Sequence, residues 1–314
     1  MAGKLISRTI MLLAFTSIFP ACDHAKTTAR AQSQAAAPAA AEHPILSFPP
    51  DNGPLPTFEG NRAMQYVKEI VDFGPRPLGS ASHKKVEDYI TAHLKGDEVE
   101  HDVFSADTPE GKFPVHNIVA KFPGRKDGII VMASHYDTNY PLRKTSFVGA
   151  NDGASGTAVV YQLARALRPR TVRPTVVFVF FDGEEAPDDS SFEQNGTRGS
   201  RVAAQAYRRA QAMILLDMIG DRSLAIPKEQ GSNERLFARV RASASRVGVG
   251  RVFAGRTITI LDDHLPFARA GVPSVDLIDF SFPCWHKPCD DLTAVSAASL
   301  DVVGETVSDV LRGL

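Results

Sequence analysis

Apolar positions along the chain fall into three regimes. From Ile10 to Phe19 they form a short, largely apolar run behind Lys4 and Arg8. From Asp23 to about Glu42 the chain is rich in Ala, Gln, Thr and Ser with no apolar period, which predicts a flexible tether over 23–44. Beyond it Met64, Val67, Ile70 and Val71 recur at helical spacing, and a second helix is predicted over about 82–95. Short apolar runs rich in β-branched residues at 117–122, 129–133, 175–181 and 212–216 predict buried strands, with a further strand from Pro273 to Ile278. Helical patterns at about 155–168, 198–209, 232–246 and 294–312 alternate with them. The alternation predicts an α/β layer structure with a largely parallel sheet, in one domain over 45–314 and without an internal repeat.

Composition narrows the setting. With 43% hydrophobic and 23% charged residues in 314, the chain has a globular balance and is long enough to bury a sizeable core. A formal net charge of -1 supplies no basic field for a phosphate backbone, so nucleic acid is not an expected partner. The basic residues, the short apolar run and the Phe19-Pro20-Ala21-Cys22 sequence predict an export signal over 1–22. Either it is of the lipoprotein type, with Cys22 carrying the lipid, or it is cleaved plainly near Ala21, or it serves as a short membrane anchor. The protein is then expected to be periplasmic, membrane-tethered or secreted, touching a membrane only through that N-terminal anchor. Of three cysteines, Cys284 and Cys289 remain as a candidate disulfide, which export permits, or as two free thiols.

In parallel sheets ligands sit beyond the carboxyl ends of the strands, and the ionisable residues of this chain gather there. The strand ending at Ala133 runs into Ser134-His135-Tyr136-Asp137, and Asn151-Asp152-Gly153 precedes the helix at 155. Phe181 leads into Asp182-Gly183-Glu184-Glu185, Leu216 into Asp217, and the last strand through a loop into Trp285-His286. Singly, each such residue is more often a cap or a turn former. Together they supply nitrogen and oxygen ligands for one or two zinc ions, with a carboxylate left to carry a proton. An all-oxygen set would favour magnesium or calcium instead.

The motifs SHYDT at 134–138, GANDGASGTA at 149–158, FFDGEEA at 180–186, LLDMIGD at 215–221, DDHLPFARAGVP at 262–273 and WHKPCDD at 285–291 resemble, in combination, the metallopeptidase family that holds di-zinc aminopeptidases and glutaminyl-peptide cyclotransferases. The resemblance implies a three-layer α/β/α sandwich around a mixed, largely parallel sheet. It implies Asp152, Glu185 and His286 as ligands of a principal zinc, with Glu184 as general acid and base. It further implies His135 and Asp217 as ligands of a second zinc in the aminopeptidase branch, with Asp137 orienting His135.

Trp285 before His286, Asp262 before Asp263-His264, and Leu216 before Asp217 resemble the cyclotransferase branch. That resemblance implies that Asp217 and Asp262 share a proton-linked network near the substrate amine, and that Trp285 and Phe282 line the pocket. The expected activity is conversion of N-terminal Gln of peptides or proteins to pyroglutamate with release of ammonia, on one zinc and in a monomer. The alternatives are an aminopeptidase with two zinc ions and a metal-free binding domain on the same fold. His264 is read either as support for the site or as the start of a helix, and Asp290 and Asp291 either as helix caps or as orienting His286. His24, His43, His83, His93, His101 and His116 sit in no motif and are read as tether, surface or packing residues.

Overall fold

The computed structural model describes residues 58–94, 98–124, 127–166, 174–188 and 192–314. The predicted signal with Cys22, the tether and residues 45–57 lie outside them.

Two helices open the described chain, α1 (Gly60–Val71) and α2 (Ala81–His93), the second capped by the Ser80 side chain. A hairpin follows, β1 (Glu98–Thr108) and β2 (Gly111–Phe122), then β3 (Ile129–His135), α3 (Ala154–Ala166) and β4 (Thr175–Phe181). After these come α4 (Phe192–Asn195), α5 (Arg198–Ala206), β5 (Ala212–Asp217), α6 (Glu234–Arg246), α7 (His264–Arg269), β6 (Ser274–Ile278) and α8 (Ala297–Gly313).

The strands form one sheet in the order β1-β2-β4-β3-β5-β6. The block β4-β3-β5-β6 is parallel, while β1 pairs antiparallel with β2 and β2 with β4. Strand β1 was not foreseen, and β2 starts earlier than its apolar run. The hairpin's outer strand is exposed along most of its length, so it lacks the continuous apolar signature of the central strands.

Period-two alternation divides the core. Ile118, Ile130, Met132, Phe178, Ile214 and Leu277 face one side, packed with residues of α1, α2, α3, α6 and α8. Val119, Val131, Val177, Phe181, Met213 and Leu215 face the other, against Ala203, Ala204 and Phe267 of α5 and α7. The result is helix, sheet, helix, with each fully buried Val or Leu contributing about 1.5–3 kcal/mol. Among the described residues no helix is long and apolar enough to cross a membrane.

One close approach sets the site. A Cβ on Gly156, in the first turn of α3, would lie 2.2 Å from Leu216 O and 2.3 Å from Ser134 Oγ. Only glycine lets α3 settle this deeply between the ends of β3 and β5, and that depth brings the 151–153 loop beside His135.

Candidate active site

Each parallel strand delivers its residue at the carboxyl end. His135 closes β3, Asp217 closes β5, the Glu184-Glu185 pair follows β4 through Gly183 at φ 65, and His286 lies in the loop after β6. Met218 and His286 hold left-handed backbone at φ 44 and 50, which non-glycine residues adopt at a cost and which clusters at functional sites.

Two triads result, sharing Asp152. On one side His286 Nε2 is 3.4 Å from Asp152 Oδ2 and 3.4 Å from Glu185 Oε1. On the other, His135 Nε2 is 3.3 Å from Asp152 Oδ1 and 3.2 Å from Asp217 Oδ1. Asp152 Oδ2 and Glu185 Oε1 are buried and accept no hydrogen bond. Two orphaned carboxylate oxygens facing an imidazole nitrogen fit a bound cation, and the mixed nitrogen and oxygen set suits zinc. Burial raises the pKa of Asp152, but His135, His286 and Arg76 outweigh it and hold the carboxyl below its usual range.

Supports reach these residues from several elements. Asp137 Oδ1 lies 3.5 Å from His135 Nδ1, and the same carboxylate accepts the main-chain N–H of Glu184 at 3.3 Å and of Glu185 at 3.2 Å. Asp137 therefore ties the glutamate turn to the loop after β3. Asn139 donates from Nδ2 to Glu185 Oε2 at 3.1 Å. Arg76, fully buried, donates to the carbonyls of Tyr136, Val148 and Gly149 and so ties the His135 loop to the Asp152 loop. Burial lowers its pKa to about 10, partly offset by Asp290 and Asp152. Asp290 takes the N–H of Asn151 at 2.7 Å and of Asp152 at 3.0 Å. Neither Asp290 nor Asp291 caps the last helix; Ser296 does. Arg76 and Asn139 carried no motif signal of their own, whereas Asp290 stood inside WHKPCDD.

Glu184 is buried, with Oε2 4.0 Å from His135 Nδ1. Burial raises its pKa well above the usual carboxyl range, and Glu185, Asp263 and Asp217 push the same way against His135. Asp262 is held high in turn by burial and by Asp276, Asp217 and Glu184, with its Oδ2 lacking a hydrogen-bond partner. A carboxyl whose pKa is raised beside a metal triad can accept a proton and then donate it.

Trp285 stacks on His286, ring centroids 4.4 Å apart, and packs against Phe280 at 4.7 Å. Phe282 is buried with Met218 and Ile278, in the wall beneath Trp285, so Phe280 and Trp285 are the more open aromatic pair. Cys284 and Cys289 form a disulfide around the Trp285-His286 segment. His264 starts α7, with Nε2 2.8 Å from Glu229 and Nδ1 3.5 Å from Asp276; neither ring nitrogen joins the two triads.

Comparison with known proteins identifies the family. The family model described as peptidase family M28 matches residues 117–311. A glutaminyl-peptide cyclotransferase of Drosophila melanogaster is 30% identical over 278 residues, covering 75% of this chain and 77% of the fly protein. The glutaminyl cyclase of an Acidobacteriales bacterium superposes with a TM-score of 0.79 at 35% identity, over 85% of this chain and 98% of that one. A leucine aminopeptidase precursor from Bacteroides thetaiotaomicron superposes with a TM-score of 0.76 at 28% identity, over 83% and 99%. The mixed sheet, the strand-end placement of the site residues and these matches together place the chain in peptidase family M28, where it is similar to glutaminyl cyclases.

Proposed function

We propose that this chain is a zinc-dependent glutaminyl-peptide cyclotransferase that converts N-terminal Gln of peptides to pyroglutamate. The observation that carries the reading is where the unsatisfied oxygens fall. Within the two triads that share Asp152 they are Asp152 Oδ2 and Glu185 Oε1, both facing His286, whereas His135 Nε2 and Asp217 Oδ1 are within hydrogen-bond distance of each other. That pattern supports one principal ion, with Asp217 free to take part in proton handling.

Zinc held by Asp152, Glu185 and His286 would polarise the γ-carbonyl of the substrate glutamine. Glu184 accepts a proton from the α-amine as its nitrogen forms the bond to the γ-carbon. It then delivers that proton to the amide nitrogen, which leaves as ammonia when the C–N bond breaks. Asp217 and Asp262 hold protons beside the amine, and Trp285 forms a wall of the pocket. No water is consumed.

An aminopeptidase is the second reading. The His135, Asp152 and Asp217 triad favours it, as does the likeness to the Bacteroides protein named a leucine aminopeptidase precursor. There Glu184 activates water toward the first peptide bond. Mass spectrometry of a Gln-initiated and a Leu-initiated peptide, each incubated with the zinc-loaded chain, separates the two. Loss of ammonia from the first with the second intact is expected; stepwise loss of N-terminal residues would replace the cyclase reading with the peptidase one.

Residues 1–22 are read as a lipoprotein-type signal with lipid on Cys22, 23–44 as a tether, and 45–314 as one exported, monomeric catalytic domain. Detergent-phase partitioning of the full chain against Cys22→Ala tests the anchor, and partition unchanged by the substitution would refute it.

A further inference from the structure

Next to the glutamate turn lies a second polar network, buried at His83, Glu87 and Asp182, that the proposed reaction does not use. His83 and Glu87 sit one turn apart on α2, His101 on β1, His116 on β2, and Asp182 directly follows β4. His83 Nε2 donates to Asp182 Oδ1 at 2.6 Å, and Asp182 Oδ2 accepts the main-chain N–H of His116 at 2.7 Å. On its other side His83 Nδ1 is 3.3 Å from Glu87 Oε1, while Glu87 Oε2 is 3.1 Å from His116 Nδ1 and 3.3 Å from Lys84 Nζ. His116 Nε2 meets His101 Nδ1 at 2.7 Å. The His83 ring stacks on Tyr136, between His135 and Asp137, with centroids 5.2 Å apart.

His83, Glu87 and Asp182 are close enough together to suggest a metal site. Yet His83 and Asp182 have no orphaned atom, in contrast to Asp152 and Glu185. Their groups are satisfied by one another, which is the signature of a brace. Both His83 nitrogens face carboxylates, so both donate and the ring is charged. Burial opposes that charge, and Asp182 outweighs it, raising the pKa to about 10.

What the brace holds is the start of the glutamate turn. The carbonyls of Asp182, Gly183 and Glu184 accept the N–H groups of Gly199, Arg198 and Thr197 at 3.0, 2.8 and 2.8 Å, and Asp137 takes the N–H groups of Glu184 and Glu185. The main chain is thus fixed from α5 and from Asp137. The Asp182 side chain adds a hold from α2 and β2, just before Gly183 bends the chain.

We propose that His83 is a positioning residue for Glu184 and Glu185: by clamping Asp182 to α2 it fixes where the turn presents the two carboxylates. The inference rests on the proposed roles of those glutamates, whichever peptide reaction they serve.

The test uses the full zinc-loaded chain with His83→Ala, His83→Gln and, as a control on the exposed side of the network, Lys84→Ala. Steady-state turnover of the Gln peptide and zinc affinity by chelator competition are both expressed per folded molecule. His83→Ala is expected to lower kcat about 10-fold with KM within about 2-fold, since a small misplacement of reacting groups falls on the chemical step. Its zinc affinity is expected to fall about 10-fold, as for other supports of a ligand. His83→Gln, whose amide can still donate to Asp182, restores most of both, and Lys84→Ala leaves both unchanged. Wild-type kcat and zinc affinity in folded His83→Ala, with only a lower melting temperature, would overturn the inference. If His83→Ala does not fold, His83→Phe, which keeps a ring on Tyr136 but cannot donate, decides by the same criteria; failure of both to fold would also overturn it, the role then being one of folding. A wild type that cyclises no Gln peptide ends the cyclase reading, while zinc competition still judges His83.

Discussion

Asp290 Oδ2 accepts the main-chain N–H of Asp152 at 3.0 Å, joining two loops 138 residues apart in sequence. Its other oxygen takes the N–H of Asn151, so one side chain sets the orientation of the loop that presents the shared carboxylate. Asp290→Asn keeps the shape but turns an amide N–H toward one of the two donors. Zinc affinity, measured by chelator competition, is expected to fall about 10- to 100-fold, the range for groups that orient metal ligands.

Glu184→Gln removes the proton carrier and leaves Asp152, Glu185 and His286 in place. Turnover of a Gln-initiated peptide is expected to drop by about two orders of magnitude or more, with zinc content by elemental analysis unchanged. Full activity in this variant would give the proton to another group.

The His83–Asp182 pair has a pH signature. The folded-state pKa of His83 is raised from 6.5 to about 10, so its contribution to stability is fully present below 6.5 and is lost as pH rises toward 10. The difference in unfolding free energy between wild type and His83→Gln should therefore be largest near pH 6 and shrink steadily toward pH 10. Denaturant titrations across that window check it; a difference independent of pH would mean that His83 is neutral in the fold.

Replacing both Cys284 and Cys289 by Ser frees the loop that carries Trp285 and His286. Loop-closure entropy for so short a segment predicts about 2 kcal/mol of lost stability. Because His286 lies inside the closed loop, zinc affinity should fall as well. Equilibrium unfolding and chelator competition on the double variant measure the two effects.

Much of this architecture was legible in the sequence because it rests on burial. The parallel strands β3, β4 and β5 are covered on both faces and read as apolar runs, and the residues at the carboxyl ends of the strands stood out as a set. What escaped was held together by polar contacts between distant segments. Arg76 bonds to carbonyls, which leave no trace in sequence, and His83 acquires its partners only when α2 is laid across β2 and the end of β4. Strand β1 escaped for the converse reason, since an edge strand open to water shows no apolar run.

Asp152 turns one oxygen toward His286 and the other toward His135. Ions on the two sides would therefore compete for the charge of a single carboxylate and repel each other across it. If zinc were to enter both sides, the second equivalent would bind more weakly than the first. The zinc concentration around the protein, as much as its residues, would then decide how many ions it held.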